Sequence, residues 1–151
     1  MSIGHVCNRE AVVADRSDSL TDVAKLMRKY HVGSVIIVER HGEKARPIGI
    51  ITDRDLVVEI LAQELDTSAV ALEDVMSPTL VTAEQDDHVY EVIEAMRNHR
   101  VRRMPVVDQE GFLVGVVAMD DLLWNLSQEL GNIVTLIERQ TGVEAKRQAH
   151  A

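Results

Sequence analysis

Gly49-Ile50-Ile51-Thr52-Asp53-Arg54-Asp55 and Gly115-Val116-Val117-Ala118-Met119-Asp120-Asp121 are one pattern written twice, a glycine, two β-branched residues and a closing aspartate. In each, the β-branched pair ends a strand and Thr52 or Ala118 opens a helix. The likeness extends upstream. One constant offset carries Val6 onto Val75, Val12 onto Val81, Ala14 onto Ala83, Asp18 onto Asp87, Val23 onto Val92, Met27 onto Met96, Arg28 onto Arg97, Val32 onto Val101 and Val38 onto Val107. A fixed period of this kind is the signature of a structural repeat. The first copy holds three extra residues between Glu39 and Ile48, with Gly42 in that stretch, which predicts a longer hairpin turn there.

Both copies have the same elements. Residues 12–14 and 80–83 read as short strands, and residues 34–39 with 48–51, and 104–108 with 112–117, as strands paired around a turn. Leu20, Val23, Ala24 and Met27, like Val89, Val92, Ile93 and Met96, recur as one face of a helix does. The unit is β-α-β-β-α, preceded by a short apolar turn at residues 3–7 and 72–76. One such unit buries too little surface to be stable alone. The expected fold is therefore α/β (α+β), two repeats packed sheet to sheet with pseudo-twofold symmetry. The boundaries are residues 3–71 and 72–130 for the repeats, with 65–71 as connector, and 131–151 for a C-terminal helix and polar tail that frays from 141.

Composition restricts function. In 151 residues, 46% are hydrophobic and 27% charged, as in ordinary globular proteins. No stretch free of Asp, Glu, Lys and Arg exceeds the nine residues of 111–119, far short of the ~20 that span a bilayer. The first ten residues lack the pattern of a secretory leader. A single cysteine forms no internal disulfide, which points to a reducing cytoplasm. The formal charge of −9 repels phosphate backbones, and 3% aromatics build no stacking platform, so a general nucleic-acid binder is excluded. No Gly-rich phosphate loop, Gly-x-Ser-x-Gly or Cys-x-x-Cys occurs, and no nucleophile is visible, so no enzyme is expected. His5-x-Cys7 has a ligand-like spacing, yet the repeat pairs these positions with Asp74 and Met76; Cys7 reads as a small buried apolar residue and no metal site is expected.

The doubled Gly-apolar-apolar-x-x-x-Asp pattern, with Asp74-Val75-Met76-Ser77-Pro78 and Arg102-Arg103-Met104-Pro105-Val106-Val107-Asp108, resembles a tandem pair of cystathionine β-synthase (CBS) domains, the Bateman module, over residues 3 to about 130. The chain looks like a stand-alone, bacterial-type member. The resemblance implies adenosyl-nucleotide binding in clefts between the copies, in a sensor that changes a partner's activity. It implies one cleft formed by Ile50, Thr52 and Asp55 with Leu80, Val81, Thr82, Arg102, Arg103 and Pro105. A weaker cleft combines Val116 and Asp121 with Val12, Val13, Gly33 and Ser34.

The residues themselves admit two readings. Thr52-x-x-Asp55 is a capping-box variant, worth about 0.5–2 kcal/mol. It also offers a hydroxyl and a ribose acceptor to a ligand, and a cap can line a cleft. Arg97 and Arg100 are accounted for by a helix C-terminus. Arg102 and Arg103 project to opposite faces of a strand, so at most one faces the cleft, where a guanidinium suits a phosphate. In the weaker cleft Ala118 replaces the hydroxyl and no base replaces the arginines, so both phosphate contacts are lost. The expected ligand is AMP, ADP or ATP, with NAD and S-adenosylmethionine sharing the adenosine. The alternative is a structural or protein-interaction module with no physiological nucleotide. The stripe Leu122, Leu126, Leu130, Ile133, Val134 and Ile137 runs past the repeat and predicts a homodimer, unless Gly131 breaks the helix and folds the stripe back.

Overall fold

The computed structural model describes residues 1–77 and 79–151; Pro78, part of one family-like motif, lies outside the described residues. The first repeat contains β1 (Val13–Asp15), α1 (Leu20–Tyr30), β2 (Ser34–His41), β3 (Lys44–Thr52) and α2 (Asp53–Asp55), which runs on as a π-helical turn over Leu56–Leu61. The second begins with α3 (Leu72–Val75) and continues through β4 (Ala83–Glu84), α4 (Val89–His99), β5 (Arg103–Val107), β6 (Leu113–Ala118) and α5 (Met119–Ala149). Each sheet has three strands, in the orders β1-β2-β3 and β4-β5-β6. In each, the first pair is parallel and the second antiparallel. The expected β-α-β-β-α repeat and mixed α/β class are present.

Period-two alternation explains the layering. Val35 and Ile37 of β2 point into a core with Leu20, Val23 and Met27 of α1, while Ile36 and Val38 are equally buried on the other face. In β5, Met104 and Val106 join Val92 and Met96 of α4, and Pro105 and Val107 are buried opposite. β3 and β6 are the strands that meet between the repeats.

The apolar turns do not serve the repeats they precede. Ile3 and Cys7 belong to the core of the second repeat, and Leu72 and Val75 to that of the first. Backbone hydrogen bonds hold this exchange: Ile3 N–H to Asp87 O (2.8 Å), Gly4 N–H to Gln85 O (2.9 Å), and Asn8 with Val116 in both directions (2.8 and 2.9 Å). The glycine of the repeated motif makes room for it. A Cβ on Gly49 would lie 2.2 Å from Met76 Sδ, and one on Gly115 would lie 2.5 Å from Asn8 O.

The three extra residues lengthen the β2–β3 hairpin, whose turn is closed by Gly42 in the left-handed region (φ 67°). Its tip grips the second repeat. Lys44 and Arg46 sit 4.8 and 5.0 Å from the centre of the Phe112 ring, His41 meets that ring edge-on, Lys44 pairs with Glu110, and Arg46 donates to Glu110 O (3.0 Å).

One expectation fails. The tail does not fray at 141, and Gly131 neither breaks α5 nor starts a new element, because the helix runs unbroken from Met119 to Ala149. A lone glycine costs a helix only about 1 kcal/mol relative to alanine, too little to stop it. Every α5 residue beyond Leu126 is exposed, including Leu130, Ile133, Val134, Leu136 and Ile137. Among the described residues no helix is long and apolar enough to cross a membrane.

These contacts order three glycine substitutions. Gly115→Ala meets backbone and should destabilise the fold by about 1–3 kcal/mol. Gly49→Ala meets a flexible methionine and should cost less. Gly131→Ala, with nothing near it, should add about 1 kcal/mol. Urea unfolding of the three variants checks this order.

Candidate functional site

Thr52 ends β3 in extended backbone and caps α2. Its N–H donates to Asp55 Oδ2 (2.8 Å), and Asp55 N–H donates to Thr52 Oγ1 (3.2 Å). The capping reading is therefore realised, and it leaves chemistry to spare. Thr52 Oγ1 accepts the backbone N–H and keeps its own proton to donate; Asp55 keeps Oδ1 as an acceptor. Both residues are half-buried on the wall of a cleft of about 630 Å³, within the range of small-molecule sites.

The opposite wall comes from the second repeat. Arg102 and Arg103 open β5, and both line this cleft, contrary to the expectation that the strand's alternation would admit only one. Arg102 lies at the strand's mouth, before its first paired residue, where the pleat no longer dictates direction. It forms an exposed pair with Asp120 (3.4 Å), of the kind that contributes little to stability. Arg100 also lines the cleft, so a role at a helix end is not its whole part. It caps α4 in the left-handed conformation (φ 56°), as His31 caps α1 (φ 52°). Ile50, Thr52, Asp55, Arg102 and Arg103 thus line one cavity. Leu80, Val81 and Thr82 are not among the described lining residues; β4 is confined to Ala83–Glu84, Val81 packs on the second core, and Asp74–Ser77 close the cleft in their place. Pro105 is buried on the inner face of β5.

Pseudo-symmetry places a second cleft, of about 250 Å³, on the other side. Val12, Gly33, Ser34, Val116 and Asp121 line it, whereas Val13 faces a separate depression beside Tyr30. The two walls correspond position by position. His31 stands where Arg100 stands, Gly33 for Arg102, Ser34 for Arg103, Ala118 for Thr52, and Asp120 for Arg54. Each exchange removes a donor or a cation. The larger cleft has four arginines (Arg54, Arg100, Arg102, Arg103) among four carboxylates, and the smaller has three carboxylates with one arginine. That arginine is Arg103, which lines both, so the smaller cleft does not lose every cation.

Sequence reasoning passed over Arg54, Arg100 and Asp74–Ser77. The repeat offset carried the signal for two of them, because it pairs Arg100 with His31 and Arg54 with Asp120. Cys7 is a core residue as expected. Its Sγ donates to Gly4 O (3.7 Å), and burial pushes the thiol's pKa up.

A family model described as CBS domain matches residues 3–62 and 72–128. An uncharacterized protein of Methanopyrus kandleri is 38% identical over 123 residues, which are 82% of this chain and 61% of that protein. The structure of a CBS domain protein from Pyrobaculum aerophilum complexed with AMP is similar with a TM-score of 0.73 at 26% identity, covering 85% of this chain and 99% of that one. The CBS domain pair of protein MJ0100, in complex with 5-methylthioadenosine and S-adenosyl-L-methionine, is similar with a TM-score of 0.73 at 26% identity, covering 83% and 99%.

The capping box and the cleft share Asp55, so their contributions must be separated. Asp55→Asn keeps an acceptor for Thr52 N–H and should leave unfolding free energy nearly unchanged, whereas Asp55→Ala should lose about 1 kcal/mol. Denaturant midpoints without any ligand measure both.

Proposed function

The chain belongs to the CBS domain family, and we propose on that premise that it is a regulatory module that binds an adenosyl ligand in the Thr52–Asp55 cleft. What supports this reading is the convergence, on one cleft between the repeats, of a free hydroxyl proton, a free carboxylate oxygen and four arginines. The carboxylate accepts from ribose hydroxyls, Thr52 and the guanidinium forks suit phosphate oxygens, and Ile50, Val75 and Val101 offer an apolar wall to a base. Two of the structures that resemble this chain hold AMP, or S-adenosyl-L-methionine and 5-methylthioadenosine, which share an adenosyl group. The arginines favour the phosphate-bearing members, AMP, ADP, ATP or NAD, over S-adenosylmethionine. The module acts by binding, not turnover, in the cytoplasm. A ligand held by both repeats favours one relative orientation of them, and that differential affinity is what a downstream protein reads.

Saturating nucleotide tests this. At one hundred times its dissociation constant a ligand adds about 2.7 kcal/mol, visible as a rise in melting temperature. If AMP, ADP, ATP, NAD and S-adenosylmethionine all leave the melting temperature unchanged, the reading fails for these ligands and the module is one of structure or interaction.

The unbroken apolar face of α5 supports the reading of the chain as a two-fold homodimer. Sedimentation should give twice the 16.8 kDa of the chain, and Ile133→Glu should return it to monomer. A monomer mass for the unaltered chain, with and without nucleotide, rejects the dimer.

A further inference from the structure

Arg103 is the one side chain in the walls of both clefts among the described residues. Its Nη1 and Nη2 lie 3.3 and 3.4 Å from where a Cβ on Gly33 would be, and Asp53 Oδ2 lies 3.3 Å from the same point. The guanidinium is thus laid across Gly33, in the ridge between the cavities, and the absence of a side chain there leaves it room. Arg102 is tied to Asp120 across the surface; among the described residues no ion pair ties Arg103. It is half-buried and has donors to give to either side.

The two cavities depend on it unequally. In the larger, Arg54, Arg100 and Arg102 also face an anion. In the smaller, Arg103 is the one arginine on a wall that carries Glu10, Asp120 and Asp121, with His31 the other basic group; Arg102 reaches Asp120 from outside that wall. One guanidinium does not satisfy two anions in separate cavities, and an anion in the smaller cleft without it meets three carboxylates in a partly desolvated site.

We propose that Arg103 is a shared binding group that couples the clefts with a defined sign: an anionic ligand in the larger cleft engages it and weakens anion binding in the smaller, leaving the smaller to a neutral or cationic adenosyl compound. This rests on the reading that the clefts bind such ligands. Coupling of binding free energies is reciprocal, so an anion in the smaller cleft weakens the larger by the same factor.

Calorimetric titration with AMP, and with adenosine as the uncharged probe, tests it. Wild type should show a tight and a weak AMP event. Asp55→Ala, which empties the larger cleft, should tighten the weak event about fivefold or more, the lower end of ordinary coupling. Arg54→Ala, at an arginine that lines the larger cleft only, should weaken only the tight event; Arg103→Ala should weaken both, and Arg103→Lys both to a lesser degree, which carries the test where the alanine variant does not fold. For adenosine, the small-cleft affinity should be the same in wild type and Asp55→Ala. An Arg103 substitution that changes one AMP event only, or a weak event indifferent to Asp55→Ala, overturns the coupling. A single AMP event in every variant also overturns it but leaves the one-cleft reading standing. No event in any variant removes that reading, and the coupling with it.

Discussion

Neither core is complete without the segment that precedes the other repeat. Ile3 and Cys7 fill the second core, Leu72 and Val75 the first, so removing either segment opens a cavity under the sheet it does not adjoin in sequence. Units of this size are marginal by themselves, and the exchange turns two marginal cores into one cooperative body. It also dictates where side chains are forbidden. Gly49 and Gly115 are glycines because Met76 and Asn8 cross them in close contact, a steric demand separate from any turn. The crossing segments then form the floors of the clefts, with Ser77 in one and Asn8 in the other.

On this symmetric scaffold the chemistry is asymmetric. Backbone positions correspond between the clefts, down to the left-handed caps His31 and Arg100, but the side chains differ at nearly every polar position. A duplicated frame therefore presents two different electrostatic environments at small structural cost, since these differences fall at exposed or half-exposed positions outside both helical cores. Arg103 is where the asymmetry is incomplete, because one long side chain reaches across the small residue that separates the sites.

How much of this the amino-acid order disclosed follows from the range of each interaction. The helix faces, the hairpin strands and the Thr52–Asp55 cap depend on neighbours a few residues apart, and the repeat on one constant offset, so they were legible from spacing alone. The destination of residues 3–7 was not, because an apolar turn fits either core and only three-dimensional packing selects one. Leu80, Val81 and Thr82 were placed on the cleft by the family's pattern, which brings the first strand of one copy to the Thr-x-x-Asp end of the other, with that strand read over 80–83; only Ala83 and Glu84 pair with β5. Arg100 was explained by the dipole of its own helix, and that local account concealed its second role. The tail was expected to fray on polarity, yet α5 continues through it, since Glu, Ala, Lys, Arg and Gln are good helix formers whether or not anything covers them.

The exchange also has a consequence for biosynthesis. Domains commonly fold in order as they leave the ribosome, but here Ile3 emerges before any of the strands it will pack against, and its core closes only after Leu122 has been made. The first repeat must likewise await Leu72 and Val75. Until then the nascent chain carries apolar segments without their partners, and the native state is reached only once both halves have been translated.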